Sequence, residues 1–104
     1  MNLVAKGGIQ FDWDDTNIRH LRRHRISPLE FEQVLVNSPL DLDYQTEGGE
    51  DRYKSLGVTD RGRVVVAVWT VRGFRIRAVT AYPASRQMRL LYQELVKEMD
   101  DDET

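Results

Sequence analysis

Val64-Val65-Val66-Ala67-Val68-Trp69 is the stretch that decides the fold of this 104-residue chain. All but one of the residues before the tryptophan are valine, and no polar residue interrupts the run. A strand that is apolar at every position is buried on both faces, so the pattern predicts a central strand that extends to Val71. We expect Arg72-Gly73 to form a hairpin turn, after which Phe74 to Ala81 returns antiparallel.

The segments around this hairpin complete the predicted domain. Alternation of Ile9, Phe11 and Trp13 with polar residues predicts a first strand, and Asp14 or Asp15 can cap the helix after it. Ser27-Pro28-Leu29-Glu30 combines a capping box with a proline at the first helical position, which predicts a second helix. Two further strands (about 40–45 and 52–58) and a last helix from Ser85 follow. The predicted order is β-α-α-β-β-β-β-α, an α+β domain with an antiparallel sheet packed against helices.

Bulk composition limits the class of protein. The formal net charge is −2, but five of the 17 acidic residues lie in 98–104, so the rest of the chain has three more basic than acidic residues. We therefore expect one domain over 1–97 and a frayed acidic tail over 98–104. The chain has no cysteine, which excludes disulfides. With no signal peptide or apolar run long enough to span a membrane, a cytoplasmic protein is expected.

The strand that begins at Arg75 carries the main functional signal. Arg75 and Arg77 are two residues apart, so a regular strand places them on one face. Arginine binds phosphate bidentately, so a face of this kind is suited to holding a phosphodiester. The alternative is a solvated face whose arginines pair with carboxylates, for which the candidate partners are Asp41, Asp43 and Asp51.

Other kinds of chemistry have weaker support. His20 and His24 are one helical turn apart, as two metal ligands can be, but no third ligand stands at a recognisable spacing, so we expect no metal and no cofactor. The sequence contains no glycine-rich phosphate loop and no serine nucleophile motif. Four groups could move a proton beside the arginines: His24, Glu50, Asp51 and Tyr82. Arginines with such groups permit cleavage of RNA by its own 2′-hydroxyl.

Several motifs, taken together, resemble the BrnT family of toxins. They run from about residue 9 to residue 94 and comprise Phe11-Asp12-Trp13-Asp14, Leu21-Arg22-Arg23-His24, Ser27-Pro28-Leu29-Glu30-Phe31, Gly49-Glu50-Asp51-Arg52-Tyr53, Leu56-Gly57, Gly62-Arg63-Val64 and Arg75-Ile76-Arg77-Ala78-Val79-Thr80-Ala81. The resemblance implies a RelE-like fold and a ribonuclease toxin of a type II toxin–antitoxin system. It also implies a DNA-binding antitoxin partner similar to BrnA, with which the chain forms a hetero-oligomer.

The chain departs from the family pattern at two positions. Tyr82 stands where the family usually has an arginine, and Met88 stands where its last helix usually has a glutamate. Tyr82 can donate a hydrogen bond but carries no charge at neutral pH, and Arg86 can supply a cation one turn later.

These observations define the predicted site and its alternatives. The expected function is a metal-independent endoribonuclease that inhibits translation by cleaving RNA. The predicted catalytic residues are His24, Glu50, Arg52, Arg75, Arg77 and Tyr82. The predicted RNA-binding residues are Arg22, Arg23, Arg86 and Arg89. We expect an acidic or helical segment of the antitoxin to cover a basic surface formed by Arg22, Arg23, Arg75 and Arg77. We also expect Arg77→Ala to abolish toxicity without unfolding the protein. The alternatives are a non-catalytic module that binds an antitoxin or RNA, and a free-standing nucleic-acid-binding regulator.

Overall fold

The computed structural model describes residues 8–102, which form three helices and five strands. The elements lie in the predicted order: β1 (Gln10–Asp12), α1 (Asp15–Arg22), α2 (Pro28–Val36), β2 (Leu40–Glu47), β3 (Glu50–Val58), β4 (Val64–Arg72), β5 (Arg75–Pro83) and α3 (Arg86–Asp102). Helix α3 continues into the segment that was expected to be a tail, while Glu103 and Thr104 lie outside the described residues.

The five strands form one sheet in the order β1-β5-β4-β3-β2. The predicted α+β class is confirmed, and β4 is the central strand, as its apolar run predicts. The sheet is mixed, however, because β1 pairs parallel to β5, with Phe11 opposite Ile76. Two helices and three strands separate β1 from β5 in the chain. No hairpin therefore forces the two strands to be antiparallel, and the long connection allows a parallel pair.

The β4–β5 hairpin turns one residue later than predicted. Arg72 pairs with Arg75, so the two turn residues are Gly73 and Phe74. Gly73 has φ of 61°, at the first central position, where a two-residue hairpin of the II′ type requires glycine. Phe74 belongs to the turn rather than to the strand, and it is 99% exposed.

The sheet separates two apolar clusters. On one face, Val65 and Ala67 of β4 pack against Leu21 of α1 and Phe31 and Val34 of α2. On the other, Val64 and Val66 pack with Leu56 and with Tyr92 of α3. The apolar run in β4 is therefore covered on both faces along its first half, which explains why this stretch dominates the sequence pattern.

Local interactions fix the two N-terminal helices. Asp14 accepts a hydrogen bond from the backbone N–H of Asn17 at 3.0 Å and begins α1. Ser27 accepts one from the backbone N–H of Glu30 at 3.1 Å, and the Glu30 carboxylate accepts one from the Ser27 N–H at 3.0 Å, so the predicted capping box is present. Burial opposes ionisation of Glu30, but the Ser27 N–H and Arg63 outweigh it and lower the pKa of this carboxyl.

Candidate functional site

A β-bulge at Val79 decides which side chains of β5 share a face. Val68 pairs with Thr80 and Trp69 pairs with Ala78, so Val79 is the extra residue. In a regular strand, Arg77 and Tyr82 would point to opposite faces, because five residues separate them. The bulge shifts the alternation by one residue, and Tyr82 joins Arg77 on the face that carries Val66, Val68 and Thr70 of β4.

This face has an uncovered half, beyond the part on which α3 packs. One cavity there, of about 180 Å³, is lined by Glu50, Arg52, Thr70, Arg72 and Arg77 of the sheet and by His20 of α1. An adjoining groove of similar size is lined by Arg52, Lys54, Val68 and Tyr82, with side chains of β2 at its edge. Because Arg52 lines both, we call the two together the trough; its polar residues are His20, Glu50, Arg52, Lys54, Thr70, Arg72, Arg77 and Tyr82, with Asp43, Gln45 and Glu47 at the β2 edge and Thr16 and Asn17 at the α1 edge.

Carboxylates already pair with two arginines at the centre of the trough. Arg52 lies 3.2 Å from Glu47 and donates through Nε to Glu50 at 3.4 Å. The second oxygen of Glu50 lies 3.7 Å from Nη2 of Arg72. Glu50 is thus held between the guanidinium groups of Arg52 and Arg72. The alternative from the sequence, arginines paired with acids, is correct here, although the partners are Glu47 and Glu50 rather than Asp41, Asp43 or Asp51.

Arg77 is the most enclosed cation of the trough. Its side chain is 13% exposed, and Nη2 lies 2.7 Å from the carboxylate of Asp14, with Asp12 at 3.7 Å from Nη1. The pKa of Asp14 is lowered, first by the backbone N–H of Asn17 and, against the cost of burial, also by Arg77. The same carboxylate therefore caps α1 and anchors Arg77, so Arg77 ties β5 to the start of the helix.

His20 enters the trough from α1. Its Nδ1 donates to the backbone carbonyl of Val79 at 3.2 Å, since a carbonyl can only accept. The bulge makes this carbonyl available, because Val79 has no partner on β4. With Nδ1 bonded to this carbonyl, Nε2 is the ring nitrogen left to exchange a proton with a substrate.

His24 and Tyr82 meet at the other end of the trough. Their rings are 6.1 Å apart between centroids, in an edge-to-face arrangement. His24 is exposed just after α1, and Tyr82 is half-buried between the groove and the apolar cluster beneath α3. The structure therefore brings these two predicted residues together, a proximity that their spacing in the sequence does not show.

The remaining predicted residues lie around the trough rather than in it. Arg75 donates through Nε to Gln10 at 3.4 Å near the hairpin. Arg89 donates to the carbonyl of Ala84 at 3.1 Å, while Arg22, Arg23 and Arg86 are exposed and pair with no carboxylate among residues 8–99. Asp51, a candidate for moving protons, lies on the opposite face of the sheet, where it accepts from the Tyr44 hydroxyl at 2.7 Å.

Besides Thr70 and Arg72, sequence reasoning missed Lys54 and His20 of the trough. Lys54 lines the groove beside Tyr82, and no carboxylate within the described part of the chain pairs with it. The alternation of β3, which puts Lys54 on the same face as Arg52, could have revealed it. The sequence suggests His20 only as a metal ligand. Its position in the trough depends on the bulge at Val79, for which the sequence contains no motif.

Among the side chains of residues 8–99, no group of three or more His, Asp or Glu lies close enough together to hold a metal ion. None of the helices between residues 8 and 102 has the length and hydropathy needed to cross a membrane.

The comparison with protein families gives one match, which covers residues 13–87 and so most of the chain. The description of the matching family is "Ribonuclease toxin, BrnT, of type II toxin-antitoxin system". No curated protein matches the chain. The match includes α1, the complete β2–β5 meander and every polar residue of the trough.

Proposed function

Because this chain belongs to the BrnT family of ribonuclease toxins of type II toxin–antitoxin systems, we propose that the trough binds and cleaves RNA. The family implies an RNA target and an antitoxin partner. The observation that carries the proposal is the sharing of Arg52 between two adjoining cavities. Because the cavities adjoin at Arg52, one polar surface beside the exposed His24 contains three arginines, a lysine, a carboxylate and a histidine: Arg52, Arg72, Arg77, Lys54, Glu50 and His20.

The proposed reaction uses the nucleophile that RNA itself contains. The 2′-hydroxyl oxygen forms a bond to the adjacent phosphorus, and the bond from phosphorus to the 5′-oxygen breaks. One proton leaves the 2′-hydroxyl and another is delivered to the departing 5′-oxygen, so a base and an acid are needed. The phosphorane oxygens carry the negative charge that cations must stabilise.

The trough offers a group for each step. Glu50 accepts the 2′-hydroxyl proton, since its carboxylate lies in the trough between Arg52 and Arg72, the cations that face the phosphate. A histidine delivers a proton to the 5′-oxygen: His24 beside Tyr82 is the candidate from the sequence, and His20 is the one that the structure adds. Arg52 and Lys54 hold the phosphate, with Arg77 behind them, while Arg75 and the exposed arginines guide the flanking RNA.

Finer aspects of the function belong to the same proposal. The cations of the trough supply the charge stabilisation, so cleavage proceeds without a metal ion and continues in a chelating buffer. RNA cleavage inhibits translation, which places the action in the cytoplasm. The partner is a DNA-binding antitoxin similar to BrnA, and the two proteins form a hetero-oligomer in which the toxin is inactive.

One observation favours a second function, a binding module that has lost cleavage. Two of the predicted catalytic arginines, Arg52 and Arg77, already pair with carboxylates, so RNA must displace or share those partners before either can stabilise a phosphorane. Tyr82 also replaces a family arginine without replacing its charge.

Expression of the isolated chain in bacteria separates these two functions. Cleavage predicts arrested growth and fragmented total RNA, and both should disappear in Glu50→Gln, which keeps the shape of the side chain but cannot accept the proton. His24→Ala and His20→Ala then identify the acid, because the variant that lacks it should lose most of the activity. Normal growth and intact RNA with the soluble wild-type chain would leave the binding module as the function.

A further inference from the structure

The face of the sheet opposite the trough carries a row of three aromatic rings. Tyr44 of β2 pairs with Tyr53 of β3, which pairs with Trp69 of β4. The centroids of Tyr44 and Tyr53 are 5.1 Å apart, and those of Tyr53 and Trp69 are 4.4 Å apart with the rings nearly parallel. We call Tyr44, Tyr53 and Trp69 the aromatic row.

The row continues beyond the part of this face that the helices cover. Trp69 contacts the edge of the apolar cluster under α1 and α2. Tyr44, at the other end, is 54% exposed, and Val71, two residues after Trp69 on the same face, is 49% exposed. An open groove runs along the row towards Asp41 and Asp43. The rings thus form a continuous surface that leads from the core to the edge of the sheet.

The surroundings of the row are acidic. Asp41 pairs with Ser55 and Asp51 with Thr46, which places both carboxylates on the side of the sheet that carries the row. Asp43 reaches the same groove from the edge. Strand β2 contains three acidic residues and no basic one. Carboxylates beside aromatic faces attract a cation twice, through charge and through the ring quadrupole.

Strand β2 also leaves a free edge. It is the last strand of the sheet, and Leu42 forms a bulge in its pairing with β3, since Asp41 pairs with Ser55 and Asp43 with Lys54. From Asp43 to Glu47 the pairing with β3 is regular. The N–H of Tyr44 already donates to the Asp43 carboxylate at 2.9 Å, and the other outward N–H and C=O groups of this stretch can receive another strand.

We propose that the aromatic row and the edge of β2 bind an extended basic segment of the antitoxin. Alternate side chains of an added strand point to one face, so arginines or lysines two residues apart can lie over the aromatic row and its carboxylates. The proposal rests on the toxin–antitoxin assignment made above. It places the anchor of the antitoxin on the side of the sheet away from the trough, so binding of the partner and RNA cleavage depend on different residues.

RNA fits this surface poorly, although bases stack on exposed rings in other proteins. A base on Tyr44 would bring its phosphates towards Asp41, Asp43 and Asp51, where like charges repel. The groove along the row contains carboxylates and no cation, whereas the trough contains four cations beside its three carboxylates, so the charges assign a basic peptide to the row.

The test uses two probes with the purified chain: a nine-residue peptide that alternates arginine with valine, and a single-stranded RNA oligonucleotide. Calorimetry measures both affinities for the wild type, for Tyr44→Ala, for the double variant Asp41→Asn/Asp51→Asn, and for Leu29→Ala, an exposed control on α2. Tyr44→Ala should weaken peptide binding about fivefold, the value of one exposed cation–π contact. The double variant should weaken it further, and Leu29→Ala should not change it.

The same variants, co-expressed with the antitoxin encoded beside the toxin, should remain toxic yet escape neutralisation. Peptide affinity that is equal in the wild type and both surface variants would overturn the proposal, as would absence of peptide binding. Loss of RNA affinity in Tyr44→Ala would also overturn it, because the row would then be a base-stacking surface. Peptide binding can be measured whether or not the chain cleaves RNA. Absence of peptide binding is therefore distinguishable from absence of ribonuclease activity.

Discussion

Arg77 shows how one residue can be required both for the fold and for the site. It lines the trough, but its guanidinium lies 2.7 Å from Asp14 and is largely shielded from water. From the sequence, Arg77→Ala is expected to leave the fold intact. The ion pair between Arg77 and Asp14, which caps α1, changes that expectation. Loss of toxicity in this variant alone would therefore not identify a catalytic role.

We expect Arg77→Ala to lower the free energy of unfolding by about 1.5–3 kcal/mol, the range for hydrogen bonds to charged groups. Removal of the guanidinium leaves Asp12 and Asp14 close together without their shared cation. Arg75→Ala is the matched control, since Arg75 is exposed on the same strand and should cost well under half as much. Urea unfolding of both variants measures this, and equal stabilities would show that the ion pair with Asp14 contributes nothing.

The lowered pKa of Asp14 predicts a dependence of stability on pH. A carboxyl whose pKa is lower in the folded than in the unfolded chain stabilises the fold above the unfolded value. This stabilisation is lost as pH falls through the folded pKa. The ordinary pKa of this carboxyl is 3.8, so the loss of stability should occur below about pH 4.

Asp14→Asn keeps the capping oxygen but cannot ionise. Its stability deficit relative to the wild type should therefore shrink between pH 6 and pH 3, whereas a constant deficit would contradict this assignment.

Two irregular features of the strands position the trough. The bulge at Val79 turns Tyr82 towards Arg77 and leaves a carbonyl free for His20. On β3, Gly57 lets the strand approach the end of α2 closely, because a Cβ built there would lie 2.7 Å from the backbone oxygen of Val34. Neither Val79 nor Gly57 is itself a reacting group. The bulge sets the positions of Tyr82 and His20, and Gly57 sets how closely β3 packs against α2.

Gly57→Ala should destabilise the protein by about 1–3 kcal/mol, the usual cost of overpacking. The contact is with a backbone oxygen, which cannot move aside as a flexible side chain can, so α2 must shift away from β3. Thermal melting of the variant measures the effect. An unchanged melting temperature would show that α2 moves without cost and that the close approach is not required.

At the scale of the whole molecule, the sheet separates two functions. One face combines cations, Glu50 and histidines in the trough, and the other combines aromatic rings with carboxylates at the edge of β2. Neither the net charge of −2 nor the count of arginines shows this separation, because strand register distributes the charges between the faces. A toxin that must bind RNA and a protein partner thus has two chemically distinct surfaces, one on each face of its sheet.

Local pattern was sufficient to predict most of the fold. The apolar run of β4 and the capping box at Ser27 depend on neighbours in sequence, and both are confirmed. Gly73 also lies in the hairpin turn, although the turn comes one residue later than predicted. The parallel pairing of β1 and the bulge at Val79 depend on contacts between distant segments, and valine gives no bulge signal. The site was predicted in part for the same reason: residue types were visible, but the partners of Arg52 and Arg77 come from long-range register.

The central claim is that the trough cleaves RNA, and the most direct measurement is the rate of cleavage by purified Arg52→Ala. Arg52 lines both parts of the trough, and Arg61→Ala, in the exposed β3–β4 turn, is the matched control. Wild type and Arg61→Ala should cleave a single-stranded RNA at equal rates, while folded Arg52→Ala should be slower by about 10²–10³-fold, the cost of losing one preorganised donor. An active wild type with an equally active Arg52→Ala would contradict the assignment of the trough as the catalytic site.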